Sequence, residues 1–296
     1  MENTPTVSVI IPTTCARARA DFLFRSIRSV VHQRGVNVET ILVCNGADQD
    51  LELAATLKDE GDIRIISLAE GNVSKARHEG LRMSTGAYFG FLDDDDEYLP
   101  DGLMHRVEAM QRHPDCDVVV TNGFLAHDDT REPLVPPSLA PRINIDPCGS
   151  FLESNWFASP AALFRRSSVD DDCFKMDLKY FEWTYLLFLL VSKNTKFLFD
   201  ETMTYLKTEH EQSISRSDDY QLAYSDFLRT LKALSLPQNV HAAIHRKYVS
   251  ALNAKSDFFR QRGAFAAAWK AHVSCLLNGG FAYLPYTRHL LLRSRK

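Results

Sequence analysis

The stretch "YFGFLDDDDEYLP" (88–100) decides how this chain is read. Its first five residues, Tyr88 through Leu92, are apolar and read as a buried strand. Asp93, Asp94, Asp95, Asp96 and Glu97 follow at once. Adjacent carboxylates repel one another, and burial makes each harder to ionise. A core strand that runs straight into such a cluster calls for a physical reason.

The surrounding pattern supplies part of it. "VSVII" (7–11), "ETILVC" (39–44), "IRIISL" (63–68) and "DVVVTN" (117–122) read as further strands. Between them lie helical stripes: "DFLFRSIRSVVHQ" (21–33), a short helix through "LELAATLKDE" (51–60), "NVSKARHEGLRMS" (72–84) and "PDGLMHRVEAMQRH" (100–113), the last with Pro100 at its start. Strands separated by helices of this length imply crossovers, hence an α/β fold with a mostly parallel central sheet and helices on both faces. Ligands of such sheets bind at the carboxyl ends of the strands, and the acidic run lies at one of those ends.

A divalent cation makes the cluster tolerable. Mg2+ or Mn2+ takes hard oxygen ligands, typically one or two protein carboxylates together with phosphate oxygens, so a pyrophosphate-bearing substrate fits. If the strand continues to Asp95, Asp93 and Asp95 face one side and Asp94 the other, while Asp96 and Glu97 turn outward. The competing reading is a solvated acidic turn capping the helix at Pro100; the abrupt strand-to-acid transition favours the metal. The chain has no GxxxxGK[ST] phosphate loop and no GxGxxG after its first strand. An EF-hand is excluded because Tyr98 stands where the loop needs glycine.

At 296 residues the chain holds one large domain or a domain with an appendage, and 45% hydrophobic with 24% charged residues is ordinary globular composition. The six cysteines form no CxxC pair and no zinc spacing, which predicts reduced thiols in the cytoplasm. The start "MENTPTVSVIIPTT" lacks the features of a secretory leader, and no apolar run approaches the ~20 residues that span a bilayer. Residues 124–150, with five prolines, read as a long mobile loop. "PAALFRR" (160–166) reads as a strand, "FEWTYLLFLLV" (181–191) as a buried helix, and "KFLFDETMTYLK" (196–207) as two short strands or one bent one. From 218 onward the pattern is helical. Residues 258–296 contain no Asp or Glu and seven Lys or Arg, against a net charge of −4 for the whole chain, an asymmetry that points to an anionic surface or partner.

"VSVIIPTT" (7–14), "ILVCNGAD" (41–48), "GNVSKARHEGLRMSTGAYFGFLDDDDEYLP" (71–100) and "FEWTYLL" (181–187), in that order and spacing, resemble the family 2 glycosyltransferases of the A-type fold. The match is dense over residues 6–105, thinner to 215, and does not reach the helical tail. The resemblance implies a catalytic domain over 1–215, with a Rossmann-like nucleotide-sugar-binding half (1–122) and an acceptor-binding half (123–215), followed by a C-terminal helical region (216–296). It implies a hexosyltransferase-type enzyme that moves a sugar from a nucleotide diphosphate donor, UDP favoured, to an acceptor hydroxyl with inversion, using Mn2+ or Mg2+. The expected acceptor is a glycan or lipid-linked glycan of cell-surface polysaccharide or lipopolysaccharide synthesis, at the inner face of the cytoplasmic membrane; no nucleic acid is expected. The alternative is a non-catalytic nucleotide-sugar or glycan-binding protein on the same fold.

Such chemistry needs a general base on one face of the sugar and a cation for the departing diphosphate on the other. The resemblance gives Asp93 and Asp94 to the donor, Asp95 to the metal, and His210, in "YLKTEHEQSIS", to the metal or diphosphate. "FEW" (181–183) stands where the family often has an acidic pair before Trp, so Glu182 is the candidate base and Asp177 the fallback. Pro12, Thr13 and Thr14 follow the first strand, where the family holds the nucleoside, and Arg17 or Arg19 is placed to meet phosphate. Cys44-Asn45 replaces the usual base-binding Asp, leaving the Asn45 amide to bond a base edge. Arg77 is either a diphosphate or donor-sugar contact or an ion-pair partner of the acidic run. Trp156 is either a sugar-stacking ring or core. The basic, aromatic segment 281–296 is either a contact for anionic headgroups or a helix end packed on the domain.

Overall fold

The computed structural model describes residues 4–127, 130–208 and 217–291. The chain divides into two compact units, Met1–Glu209 and His210–Lys296.

The first unit is built on a sheet whose strands are β1 (Thr6–Thr13), β2 (Asn37–Asn45), β3 (Ile63–Leu68), β4 (Tyr88–Phe91), β5 (Glu97–Tyr98), β6 (Val118–His127), β7 (Thr130–Pro133), β8 (Ala162–Arg165) and β9 (Phe197–Thr208). Their order is β3-β2-β1-β4-β8-β6-β9-β5, with β7 beside β6. The strands from β3 to β4 are parallel, Val9 opposite Thr40 and Gly90. Val9, Ile10 and Ile11 are fully buried although alternate side chains point to opposite faces, so both faces of β1 are covered. The helices are α1 (Ala20–Val31), α2 (Leu51–Thr56), α3 (Val73–Arg82), α4 (Gly102–Arg112), α5 (Ala140–Ile143), α6 (Pro147–Glu153) and α7 (Glu182–Ser192). Asn72 caps α3 by accepting from Lys75 N, and Asp50 caps α2 by accepting from Leu53 N. Helix α3 lies close on the sheet because Gly80 has no side chain: a Cβ there would stand 2.5 Å from Ile10 Cγ2 and 2.9 Å from Val43 Cγ2.

The second half of the sheet is mixed. Strand β6 does not pair with β4; β8 lies between them, antiparallel to both. "KFLFDETMTYLK" forms the single strand β9, parallel to β6 with register shifts near Asn122. Residues 124–150 are more ordered than their prolines suggest. They hold the end of β6, then β7, α5 and α6, and Val135, Leu139, Ile143, Cys148 and Phe151 are buried. Pro141 and Pro147 sit in the first turns of α5 and α6, where the missing N–H has no partner to lose. Trp156 is fully buried among Phe151, Phe157, Phe197 and Phe199, its Nε1 donating to Ser150 Oγ at 3.1 Å. It belongs to the core and offers no face to a sugar.

The second unit comprises α8 (Asp218–Thr230), α9 (Gln238–Gln261), α10 (Phe265–Gly279) and α11 (Thr287–Leu291), the last two joined by a 3-10 segment, Gly280–Tyr286. Phe227, Leu228, Ile244, Val249, Leu252, Ala268 and Cys275 form its interior, and Ser256 Oγ donates to Ala268 O at 2.9 Å between α9 and α10.

Candidate functional site

Strand β4 ends at Phe91, so the acidic run is not a continued strand and its side chains do not alternate. Asp96 N donates to Asp93 O at 3.1 Å, closing a turn that sets Asp93 against Arg77, Asp94 and Asp95 against Arg19, and Asp96 near Lys207. The turn stands at the carboxyl edge of the parallel strands, beside the end of β1.

Asp94 is buried and faces β1. Thr13 Oγ1 donates to Asp94 Oδ2 at 2.6 Å, and Cys15 N donates to Thr13 Oγ1 at 3.0 Å. Asn45, at the end of β2, donates from Nδ2 to Thr13 O at 2.9 Å. One N–H of that amide is therefore committed to holding the β1 terminus. Cys15 adopts φ 51, a left-handed conformation costly for a residue with a Cβ, and Gly46 turns the chain after β2 at φ +112. Pro12 is buried and Thr14 exposed. Thus Thr13, Asn45 and Asp94 are brought into one network. Of the two candidate arginines, Arg19 reaches the turn: its Nη2 lies 2.5 Å from Asp94 Oδ1 and 3.0 Å from Asp95 Oδ2. Arg17 is directed instead to Asp50 at 2.6 Å and to Glu52.

Asp93 faces Arg77. The Arg77 guanidinium is buried, with Nη2 2.8 Å from Asp93 Oδ1 and Nη1 3.3 Å from Glu182 Oε1. Its Cζ lies over the Trp183 ring, 5.3 Å from the centroid. Trp183 in turn packs edgewise on Phe91 of β4 and on Phe157, which fixes the start of α7 over the sheet. Phe181 caps α7 at φ 65, a strained conformation for an aromatic residue. The fold therefore gathers Asp93, Arg77 and Glu182, with Arg77 as an ion-pair partner of the acidic run. Asp177 does not join them. It is exposed and lines an open groove of ≈ 1210 Å³ with Lys75, His78 and Lys175. His210 lies outside the described residues.

The expectation that Asp96 turns outward is overturned. Asp96 is 1% exposed, accepts from Thr208 N at 3.0 Å and has Lys207 Nζ 3.8 Å from Oδ2. The short strand β5 pairs with β9, and that pairing draws the acid inward. The meeting of Asp96 with Lys207 is hidden in the sequence, because it depends on β9 lying beside β5. Burial pushes the Asp96 carboxyl up to about 8 against the pull of Lys207, and Lys207 is raised chiefly by Asp96. Asp95 is also raised, by its enclosure and then by Asp93. Enclosure acts on Asp93 as well, but Arg77 and then Lys207 outweigh it and hold that carboxyl below its ordinary value.

Among the described residues no three His, Cys, Asp or Glu side chains converge to ligate an ion. Asp95 nevertheless fits a hard divalent cation. Its carboxylate is 24% exposed at the rim and offers hard oxygen donors, while Arg19 Nη2 lies 3.0 Å from Oδ2 and enclosure, then Asp93, raises its affinity for a proton.

A parallel half-sheet that carries such a network at its carboxyl edge places the domain in the α/β class whose ligands bind at that edge. The glycosyl transferase family 2 model matches residues 8–172. The chain belongs to that family. It is 34% identical over 137 residues to the uncharacterized glycosyltransferase EpsJ of Bacillus subtilis, an overlap covering 46% of this chain and 38% of EpsJ. It is 25% identical over 245 residues to an uncharacterized glycosyltransferase of Rickettsia typhi, covering 77% of this chain and 73% of that protein. The chain thus spans well under half of the first relative and about three quarters of the second. Among solved structures, Staphylococcus aureus TarS 1-349 in complex with UDP-GlcNAc superposes with a TM-score of 0.62 at 15% identity, over 92% of this chain and 81% of that 1-349 fragment. The complex of the same fragment with UDP gives 0.57 at 16% identity, over 88% of this chain and 75% of the fragment. At such identity the likeness is one of fold.

Proposed function

We propose that the chain is a metal-dependent, inverting glycosyltransferase that moves a sugar from a nucleotide diphosphate donor to a hydroxyl of a glycan or lipid-linked glycan. The observation that carries this reading is the meeting of Asp93 and Glu182 on one buried guanidinium, Arg77, at the carboxyl edge of the sheet. Glu182 at the first turn of α7 takes the proton of the acceptor hydroxyl. The freed oxygen attacks the anomeric carbon, and the bond from that carbon to the diphosphate breaks on the opposite face. Asp95, with His210 as its expected companion, would hold Mn2+ or Mg2+. When bound, the ion neutralises charge on the departing diphosphate. Asp93 orients Arg77, and Asp94, fixed by Thr13 and Arg19, shapes the floor below the phosphates. Pro12, Thr14 and Asn45 border the nucleoside, and Arg17 stands at the outer rim.

A UDP donor is favoured by the UDP and UDP-GlcNAc complexes of TarS. Six buried cysteines without disulfides suit a reducing, cytoplasmic setting. A role in surface polysaccharide or lipopolysaccharide assembly follows from the family resemblance. The second reading, a non-catalytic sugar-nucleotide binder, is favoured by one residue: Phe181, buried and strained, occupies the place of an acid.

The experiment is a panel of nucleotide diphosphate sugars tested for manganese-dependent turnover, with Glu182→Gln alongside wild type. The variant is expected to bind donor in calorimetry as wild type does and to lose transfer by about 10²–10⁴-fold, the usual worth of a general base. Wild-type binding without turnover of any donor establishes the non-catalytic reading.

A further inference from the structure

Large apolar side chains exposed to solvent are concentrated in one place. Among the described residues eight are well exposed, and six of them, Val273, Leu277, Phe281, Leu284, Tyr286 and Leu291, lie within residues 273–291. Leu277 is 81%, Phe281 87% and Leu291 68% exposed. Helix α10 shows how this arises. Ala268, Ala271, His272 and Cys275 are buried, which satisfies its inward stripe. Lys270, Val273 and Leu277 occupy the face at i, i+3 and i+7. Gly280, at φ +68, then turns the chain into the 3-10 segment that carries Phe281 and Leu284. His272 Nε2 lies 2.7 Å from Thr287 Oγ1, linking α11 to α10.

The charge around these residues selects an occupant. The last acid in the sequence is Asp257, and seven bases follow it. Arg260 is engaged by Asp257 and Arg262 by Asp218. Lys270 and Arg288 are left on the acid-free segment that bears the apolar residues. A two-fold interface between copies would set the same basic surface against itself. An anionic lipid surface meets both features: acyl chains for the leucines and Phe281, phosphates for the bases, and the interfacial level for Tyr286.

The geometry points to residues 270–291 as a docking surface for an anionic bilayer, one that lies on the membrane without crossing it. Among the described residues no helix is long and apolar enough to cross. The inference stands on the second unit alone and does not depend on sugar transfer.

The test is sedimentation of the full chain with phosphatidylglycerol-rich or phosphatidylcholine-only vesicles. Wild type is expected to partition at least about tenfold more onto the anionic vesicles, and Lys270→Glu/Arg288→Glu to lose that preference. Leu277→Asp/Phe281→Asp is expected to lose about tenfold or more of the binding. These positions are exposed, and an unchanged helical circular dichroism spectrum verifies folding; if one double variant misfolds, the other decides. Binding indifferent to lipid charge, no binding to either vesicle, or equal partitioning of wild type and folded variants overturns the inference. So does a wild-type dimer that Leu277→Asp/Phe281→Asp splits while vesicles sediment neither protein, which assigns the surface to a second copy.

Discussion

Residues 93–96 and residues 273–291 both depart from the rule that charge faces water and apolar surface does not, and they do so in opposite senses. The first stretch encloses carboxylates at the edge of a core. The second exposes leucine and phenylalanine side chains. The difference lies in where the compensation sits. Each acid of the turn has a cation from its own unit: Arg77 for Asp93, Arg19 for Asp94 and Asp95, Lys207 for Asp96. These partners come from helix, 3-10 turn and strand, so the fold was organised around the cluster. For the exposed apolar residues, the unit's own interior is already filled from the other face of α10. A charge cluster compensated from within is the place we propose for the chemistry. An apolar surface left bare marks a contact made outside the chain.

Asp93→Asn with Asp95→Asn is expected to keep the fold while transfer falls about 10³-fold or more, the scale of losing preorganised charge at a leaving group. Turnover within tenfold of wild type would mean that the enclosed charge has no catalytic part. The next effect is on stability. Arg77→Ala removes the cation between two enclosed carboxylates and strips a contact from Trp183, so a loss of roughly 3 kcal/mol in urea unfolding is expected. A loss under about 0.5 kcal/mol would show that Asp93 and Glu182 do not need that partner.

The smallest effect is a pH slope. The Asp96 carboxyl is raised to about 8 by burial, against roughly 3.9 for an unfolded aspartate. Between those values the folded chain holds a proton that the unfolded chain releases. The contribution of Asp96 to stability is therefore fullest below pH ~4 and declines as pH rises towards 8. Asp96→Asn keeps an oxygen for Thr208 N and removes the slope. It should be more stable than wild type at pH 8, on the order of 2 kcal/mol, and nearly equal at pH 5. Parallel curves for the two proteins would place the Asp96 carboxyl elsewhere than in this enclosed position.

Individual residues show how far the sequence could be read. The parallel half of the sheet was legible because β1 to β4 are continuous β-branched and aromatic runs parted by amphipathic helices, a pattern set by local periodicity. The acidic turn was legible as a location because it sits in the dense motif block, and Glu182 as a candidate because "FEW" (181–183) stands in the thinner part of the same match. The direction of each carboxyl was not legible. It depends on the turn closed by Asp96 N and on Lys207, a residue 111 positions after Asp96 that arrives through β9. Residues 124–150 were misread for a related reason. Proline counts describe the backbone alone, whereas Val135, Cys148 and Phe151 are ordered by burial against distant strands.

What the sequence determined by itself is the order of strands and helices along the first half, the acidic run at a strand's end, and the absence of acids after Asp257. Each is a property of neighbours in the chain. Only the tertiary structure decided that Arg77 stands between Asp93 and Glu182, that Asp96 is enclosed, that Trp156 is core, and that Leu277 and Phe281 are left outside. Pairing a charge or covering a ring requires atoms from elements far apart in sequence. Close packing and the cost of an unpaired buried charge select those partners after the chain has folded back on itself.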